Sequence, residues 1–94
     1  MEIIKAHLVE ATAGREKGKL FYVMETEGEY VFLADGKSRR VEAPKRKKSK
    51  HVRFIAADDG RVAEKIRENE RVTNSELRKA IASYGGAENS DQEG

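Results

Sequence analysis

The chain contains no cysteine and no tryptophan, a single proline and only two histidines among its 94 residues. Without cysteine there is neither a disulfide framework nor a thiolate metal site, which fits a reducing compartment. His7 and His51 stand apart, with no paired carboxylate motif near either, so no metal ligand set is expected. Serines, lysines and carboxylates occur, but none forms a nucleophile–base motif. No catalytic residue, cofactor or small-molecule substrate is therefore expected, and the protein reads as a non-enzyme. The N-terminus lacks an apolar stretch of signal-peptide length, and no segment approaches the span of a bilayer. A cytoplasmic protein without membrane contact is the expectation. Aromatic residues make up 6% and hydrophobic residues 37%, so a chain this short builds only a modest core.

What the sequence has in excess is local positive charge. The formal net charge is only +2, yet residues 37 to 53 carry nine cations and one anion, for +8. Residues 1 to 36 carry four cations and seven anions, and residues 58 to 94 carry six and nine, so each flank is −3. A basic stripe between two acidic parts creates a potential that the total conceals. A polyanion is the partner such a stripe suits, and without a membrane segment nucleic acid leads.

Along the chain, Ile3 to Thr12 reads as a first strand whose imperfect alternation implies a bend or bulge. Gly14-Arg15-Glu16-Lys17-Gly18-Lys19 is a basic turn in which two glycines four residues apart allow positive φ or close backbone approach. Strands are predicted over Leu20 to Thr26 and Tyr30 to Ala34, with Asp35-Gly36 a two-residue turn. A fourth strand is expected over Ser38 to Ala43, stopped by Pro44, and the run Lys45 to Lys50 reads as loop. His51 to Ala56 is the last strand. Val23, Val31, Leu33, Val52 and Phe54 are the expected core. Four to five short, closely spaced strands suggest a small barrel in a mainly β protein.

The pattern then turns helical. Val62 and Ile66 mark one helix, with Asp58 and Asp59 suiting its N-terminus. Thr73 and Glu76 form a capping-box signature ahead of a second, with Leu77, Ala80, Ile81 and Tyr84 on its apolar face. Gly85-Gly86 is expected to end it, leaving a polar, disordered tail. The division is thus a barrel over 1–57, a helical extension of two short helices over 58–86 and a tail over 87–94. The helix–turn–helix spacing is not read as a DNA reader, because the second helix offers only Arg78 and Lys79.

The stretch from about Leu8 to Phe54 resembles the KOW motif, a β-loop-β unit of SH3-like barrels in ribosomal and transcription-elongation proteins. The residues that carry the likeness are Ala13-Gly14-Arg15-Glu16-Lys17-Gly18-Lys19 and the apolar block Phe21-Tyr22-Val23. It continues through Tyr30-Val31-Phe32-Leu33-Ala34-Asp35-Gly36-Lys37, the basic segment to Lys48, and Lys50-His51-Val52. The longer match is similar to the fourteen-e family of archaeal and eukaryotic large-subunit ribosomal proteins and its bacterial KOW-domain RNA-binding relatives. It covers about half the chain. Two positions depart from it: Ala6 stands where a glycine would open the first strand, and Glu10 where an apolar residue is usual.

The resemblance implies an SH3-like KOW barrel that binds RNA, ribosomal RNA above all, in a ribosomal or ribosome-associated protein of translation. The candidate RNA-binding side chains are Arg15, Lys17, Lys19, Lys37, Arg39, Arg40, Lys45, Arg46, Lys47, Lys48, Lys50 and His51, with Gly14 and Gly18 allowing backbone N–H groups to approach phosphate. Tyr22 and Tyr30 are candidates for base stacking or for packing. The alternative is a protein-interaction module, recruited to the ribosome or the transcription machinery through the barrel or the amphipathic tail, with ribosomal proteins as partners.

Overall fold

The computed structural model describes residues 2–57 and 60–93, with side chains as far as Tyr84. Five strands come in the order β1 (His7–Ala11), β2 (Leu20–Glu27), β3 (Tyr30–Ala34), β4 (Lys45–Lys48) and β5 (Val52–Ala57). A 3-10 turn, Ser49–His51, joins the last two, and helices α1 (Arg61–Arg67) and α2 (Asn74–Glu93) follow. All strand pairs are antiparallel, and the sheet order is β4-β3-β2-β1-β5. The ladder does not close, so β4 and β5 are its two edges. The protein is thus mainly β, as its strand-length segments and glycine turns predict.

Both faces of the central strands are covered, which explains why β2 opens on an unbroken apolar run, Leu20 to Met24, rather than a clean alternation. Val9, Ala11, Phe21, Val23, Val31, Leu33 and Val52 cluster on one face. Leu8, Tyr22 and Ala34 point the other way and pack against Ala63 and Ile66 of α1, Val72, and Leu77 of α2. The register agrees: Leu8 opposes Tyr22 and Tyr22 opposes Ala34, whereas Val9 opposes Phe21 and Val23 opposes Leu33. The irregularity expected in the first strand is a register shift between Leu8 and Val9 where β1 meets β5. Four of the five expected core residues are buried. Phe54, on edge strand β5 like the buried Val52, is only half-buried, and its ring meets His7 edge-on at 4.9 Å. Ala6, just ahead of β1, is buried with φ +73 and donates its N–H to the Val23 carbonyl at 2.8 Å.

The fourth strand and the loop exchange places relative to the expectation from sequence. Residues 38–43 are not a strand; Lys45–Lys48, expected as loop, is β4. Asp35 is the physical reason for the first change. Its carboxylate accepts the N–H groups of Lys37 (2.9 Å) and Arg39 (2.8 Å) and the Ser38 hydroxyl (2.9 Å). Backbone groups held in an Asx turn are not free for a ladder. Pro44 then stands before a strand rather than after one, a position that needs no N–H donor. A lysine-rich strand also suits an edge, where charge discourages pairing with another chain.

The capping box forms as expected. Glu76 N–H donates to the Thr73 hydroxyl at 3.1 Å, and Thr73 N–H to the Glu76 carboxylate at 2.9 Å. Lys65 of α1 also donates to that carboxylate, at 2.7 Å, so the cap ties the two helices together. Loss of the hydroxyl in Thr73→Ala should lower stability by about 1 kcal/mol in urea unfolding. Two expectations for the helices need correction. The glycine pair does not end α2, which runs through Gly85 and Gly86 to Glu93 and is not short; interior glycine weakens a helix by about 1 kcal/mol but does not forbid it. Tyr84, expected to be packed, is 36% exposed, whereas Leu77 is fully buried and Ala80 and Ile81 are partly so. Asp58 and Asp59 lie outside the described residues. Among the described residues no helix is long and apolar enough to cross a membrane.

Candidate nucleic-acid interface

The basic turn between β1 and β2 is a closed loop. Ala11 N–H donates to the Lys19 carbonyl (3.0 Å) and Gly18 N–H returns to the Ala11 carbonyl (2.8 Å). Within it, Lys17 N–H reaches the Gly14 carbonyl and Lys19 N–H the Glu16 carbonyl. Gly14 and Gly18 take φ of +82° and +89°, the conformation expected of the pair. Arg15, Lys17 and Lys19 are exposed on the rim, and Glu16 points inward with only 7% of its surface exposed.

Glu16 is the functional residue that sequence reasoning misses. Its carboxylate accepts the Arg39 guanidinium at 2.6 Å and lies 3.7 Å from Lys47 Nζ. The Arg39 hydrogen bond, more than the neighbouring charges, holds the carboxyl down at about 2. Lys47 in turn donates to the Ala13 carbonyl at 3.0 Å, beneath the loop. Thr12 N–H donates to the His51 carbonyl at 2.9 Å. The turn at 14–19, the loop at 35–40 and the segment 45–51 are therefore fastened to one another. The one hint in the sequence is a lone acid flanked by cations within a short turn.

Strand β4 divides the basic run by alternation. Lys47 opposes Val31 and Lys45 opposes Leu33, both on the face of the Val9 cluster. Arg46 opposes Phe32 and Lys48 opposes Tyr30, on the other face. The Arg46 guanidinium carbon sits 4.3 Å from the Tyr30 ring centroid, a cation–π stack between diagonal cross-strand neighbours.

The candidate cations thus fall into distinct groups. Arg15, Lys17, Lys19, Lys37, Arg40, Arg46 and Lys50 are exposed, and Lys45, Lys48 and His51 are half-buried. Lys47 is not a presented cation. Its side chain is 9% exposed and, with Arg39, it serves Glu16. Arg40 lies 3.7 Å from Glu42. Lys19 and Lys37 border one groove with Leu20, Arg78 and Ile81, whereas Lys50 borders a different cleft with Glu2, Thr26 and Gly28. The sheet therefore presents cations on more than one side of the loop. Tyr22 is fully buried and offers no face to a base; Tyr30 is half-buried under Arg46. Glu10, unusual for its strand, is partnered by Arg53 across β1 and β5. His7 is buried, its Nδ1 accepting the Ile4 N–H at 3.2 Å, and burial pushes its pKa down. No protein-family model matches the chain, and no curated protein matches it.

Proposed function

We propose that this is a non-catalytic RNA-binding protein of the KOW type, which holds structured RNA, ribosomal RNA above all, through backbone and shape contacts. The observation that carries the reading is the fastening of three cationic segments, distant in sequence, around Glu16 and the Gly14–Lys19 turn. A rigid turn with exposed Arg15, Lys17 and Lys19 suits a fixed phosphate geometry better than a flexible lysine loop does. Cations arranged in this way release counterions from the polyanion, and so bind it in a salt-dependent manner. A cytoplasmic ribosomal or ribosome-associated protein is the setting this implies.

The finer fold assignment, an SH3-like barrel, has its own support. The last strand returns to pair with the first, a 3-10 turn leads into it, and one apolar cluster collects inward residues from all the strands except β4. Ala6 also favours the resemblance. At φ +73 it adopts the left-handed backbone that a glycine would adopt readily, at the position where the likeness expects one. The rival reading, a protein-interaction module, needs exposed apolar residues on the helices. Ala63, Ile66 and Leu77 are buried against the sheet, which weakens it, and what the helices leave to it is the exposed Tyr84 with the partly buried Val62, Ala80 and Ile81.

A titration against ribosomal RNA fragments at several salt concentrations tests the proposal. The variant that neutralises Lys45, Arg46 and Lys48 to glutamine, and spares Lys47, should bind most RNAs more weakly. The slope of log K against log salt should flatten by about 2, at about 0.7–0.9 for each phosphate that is no longer neutralised. Equal affinity and slope for variant and wild type would remove RNA-backbone binding by this surface and put protein interaction ahead.

A further inference from the structure

The outer face of the β3–β4 edge sets aromatic rings beside its cations, which phosphate contacts alone do not require. Tyr30, Phe32, Arg46 and Lys48 share it by cross-strand register. Arg46 lies over the Tyr30 ring at 4.3 Å and is itself exposed to solvent. A flat, delocalised cation held by an aromatic ring is a stacking platform for a nucleobase, and bases splayed from RNA stack on aromatic rings and arginine planes in this way. Beside it on the same face, Met24, Phe32 and Pro44 line a shallow hollow of about 530 Å³ with Glu25, Thr26 and Glu27.

The charges around the stack set a direction. Glu27 opposes Tyr30 and Glu25 opposes Phe32 on β2, so the β2 side repels phosphate. Lys48 lies on the far side, on β4. An RNA backbone is thereby confined to the β4 edge, and a nucleotide reaching inward presents its base, rather than its phosphate, to Arg46 and Tyr30. Fully paired A-form RNA cannot do this, because its bases are stacked and its major groove is closed to side chains.

We propose that the Tyr30–Arg46 stack seats one unpaired nucleobase, so that the preferred ligand is a helix interrupted by a bulge or loop rather than a uniform duplex. This deepens the RNA-binding reading and rests on it. The test uses two RNA hairpins of one sequence, one fully paired and one with a single-nucleotide bulge carrying 2-aminopurine, titrated with the whole protein. Wild type should prefer the bulged hairpin about tenfold, within the range for one stacked base, and should quench the 2-aminopurine on binding. Arg46→Lys keeps the charge but removes the plane, and Tyr30→Leu removes the ring beneath it. Each should bring the ratio of the two affinities to about one and abolish the quench, while far-ultraviolet circular dichroism stays that of wild type. The ratio cancels any general loss of charge attraction. Salt-dependent binding of both hairpins with equal affinity by wild type, or an unchanged ratio in both variants, overturns the seat and leaves RNA binding standing. If neither hairpin binds, the seat and the RNA-binding reading fall together.

Discussion

Gly36→Ala should destabilise the protein by about 3 kcal/mol, combining a left-handed alanine with an overpacked contact. Gly36 is buried with φ +79, and a Cβ added there would lie 2.3 Å from the backbone oxygen of Asn74. That atom belongs to the first turn of α2 and has no rotamer with which to move aside. The same junction is held by several bonds. Arg78 donates to the Gly36 carbonyl at 2.7 Å, Val41 N–H to the Asn74 side-chain oxygen at 2.8 Å, and the Asn74 amide to the Glu42 carboxylate at 2.9 Å. An inserted methyl group therefore pushes the loop and the helix apart and strains all of them. At about 4–8 °C per kcal/mol for a domain of this size, the melting temperature should fall by about 15 °C. Gly18→Ala supplies the comparison: its φ is +89 but nothing lies within 4 Å of the added atom. That change should cost only the conformational part, about 1–2 kcal/mol. Equal losses for the two variants in urea unfolding would mean that the close approach of Gly36 to α2 is not what matters.

Gly36 also shows where the sequence stops being legible. In the chain, Asp35-Gly36 looks like a two-residue hairpin turn, because the dipeptide is read with only its neighbours in view. What decides its conformation is a helix that begins as far along the chain as Asn74, together with the Asp35 carboxylate that gathers Lys37, Ser38 and Arg39. Local signals are dependable where the partner is also local. The Thr73–Glu76 cap is built from residues three apart, the strands over 20–34 are set by β-branched and aromatic residues, and Gly14 and Gly18 solve their own turn. Pro44 marks a true boundary but an ambiguous direction, since a residue without an N–H is equally at home just before a strand as just after one. The basic run is legible as charge and illegible as geometry. Once Lys45–Lys48 is a strand, alternation sends Lys47 under the turn and Arg46 onto Tyr30, and nothing in the run of like residues distinguishes the two.

Removing the charge of Glu16 should loosen the turn that presents Arg15, Lys17 and Lys19. Glu16→Gln leaves the guanidinium of Arg39 and the 9%-exposed Lys47 ammonium without their carboxylate, and should cost about 2 kcal/mol, the scale of hydrogen bonds to charged groups. Removing one partner of a buried pair is more damaging than removing both, because the remaining charge is stranded. Glu16→Gln combined with Lys47→Met should therefore be more stable than the sum of the two single changes, a coupling measured by a double-mutant cycle. The pH dependence supplies a second readout. Folding lowers the Glu16 carboxyl from 4.5 to about 2. Its contribution is then fully present above about pH 4.5 and is lost as the pH falls towards 2. Glu76, held down to about 2 chiefly by the Lys65 hydrogen bond, adds a contribution of the same sign over the same window. Urea unfolding at pH 7 and pH 3 should accordingly show wild type losing more stability on acidification than Glu16→Gln, with the Glu76 share retained in both. Identical losses would mean that Glu16 is not tied to Arg39 and Lys47 in solution. The turn would then be free to move, and the fixed array of cations on which the proposed RNA binding rests would be lost.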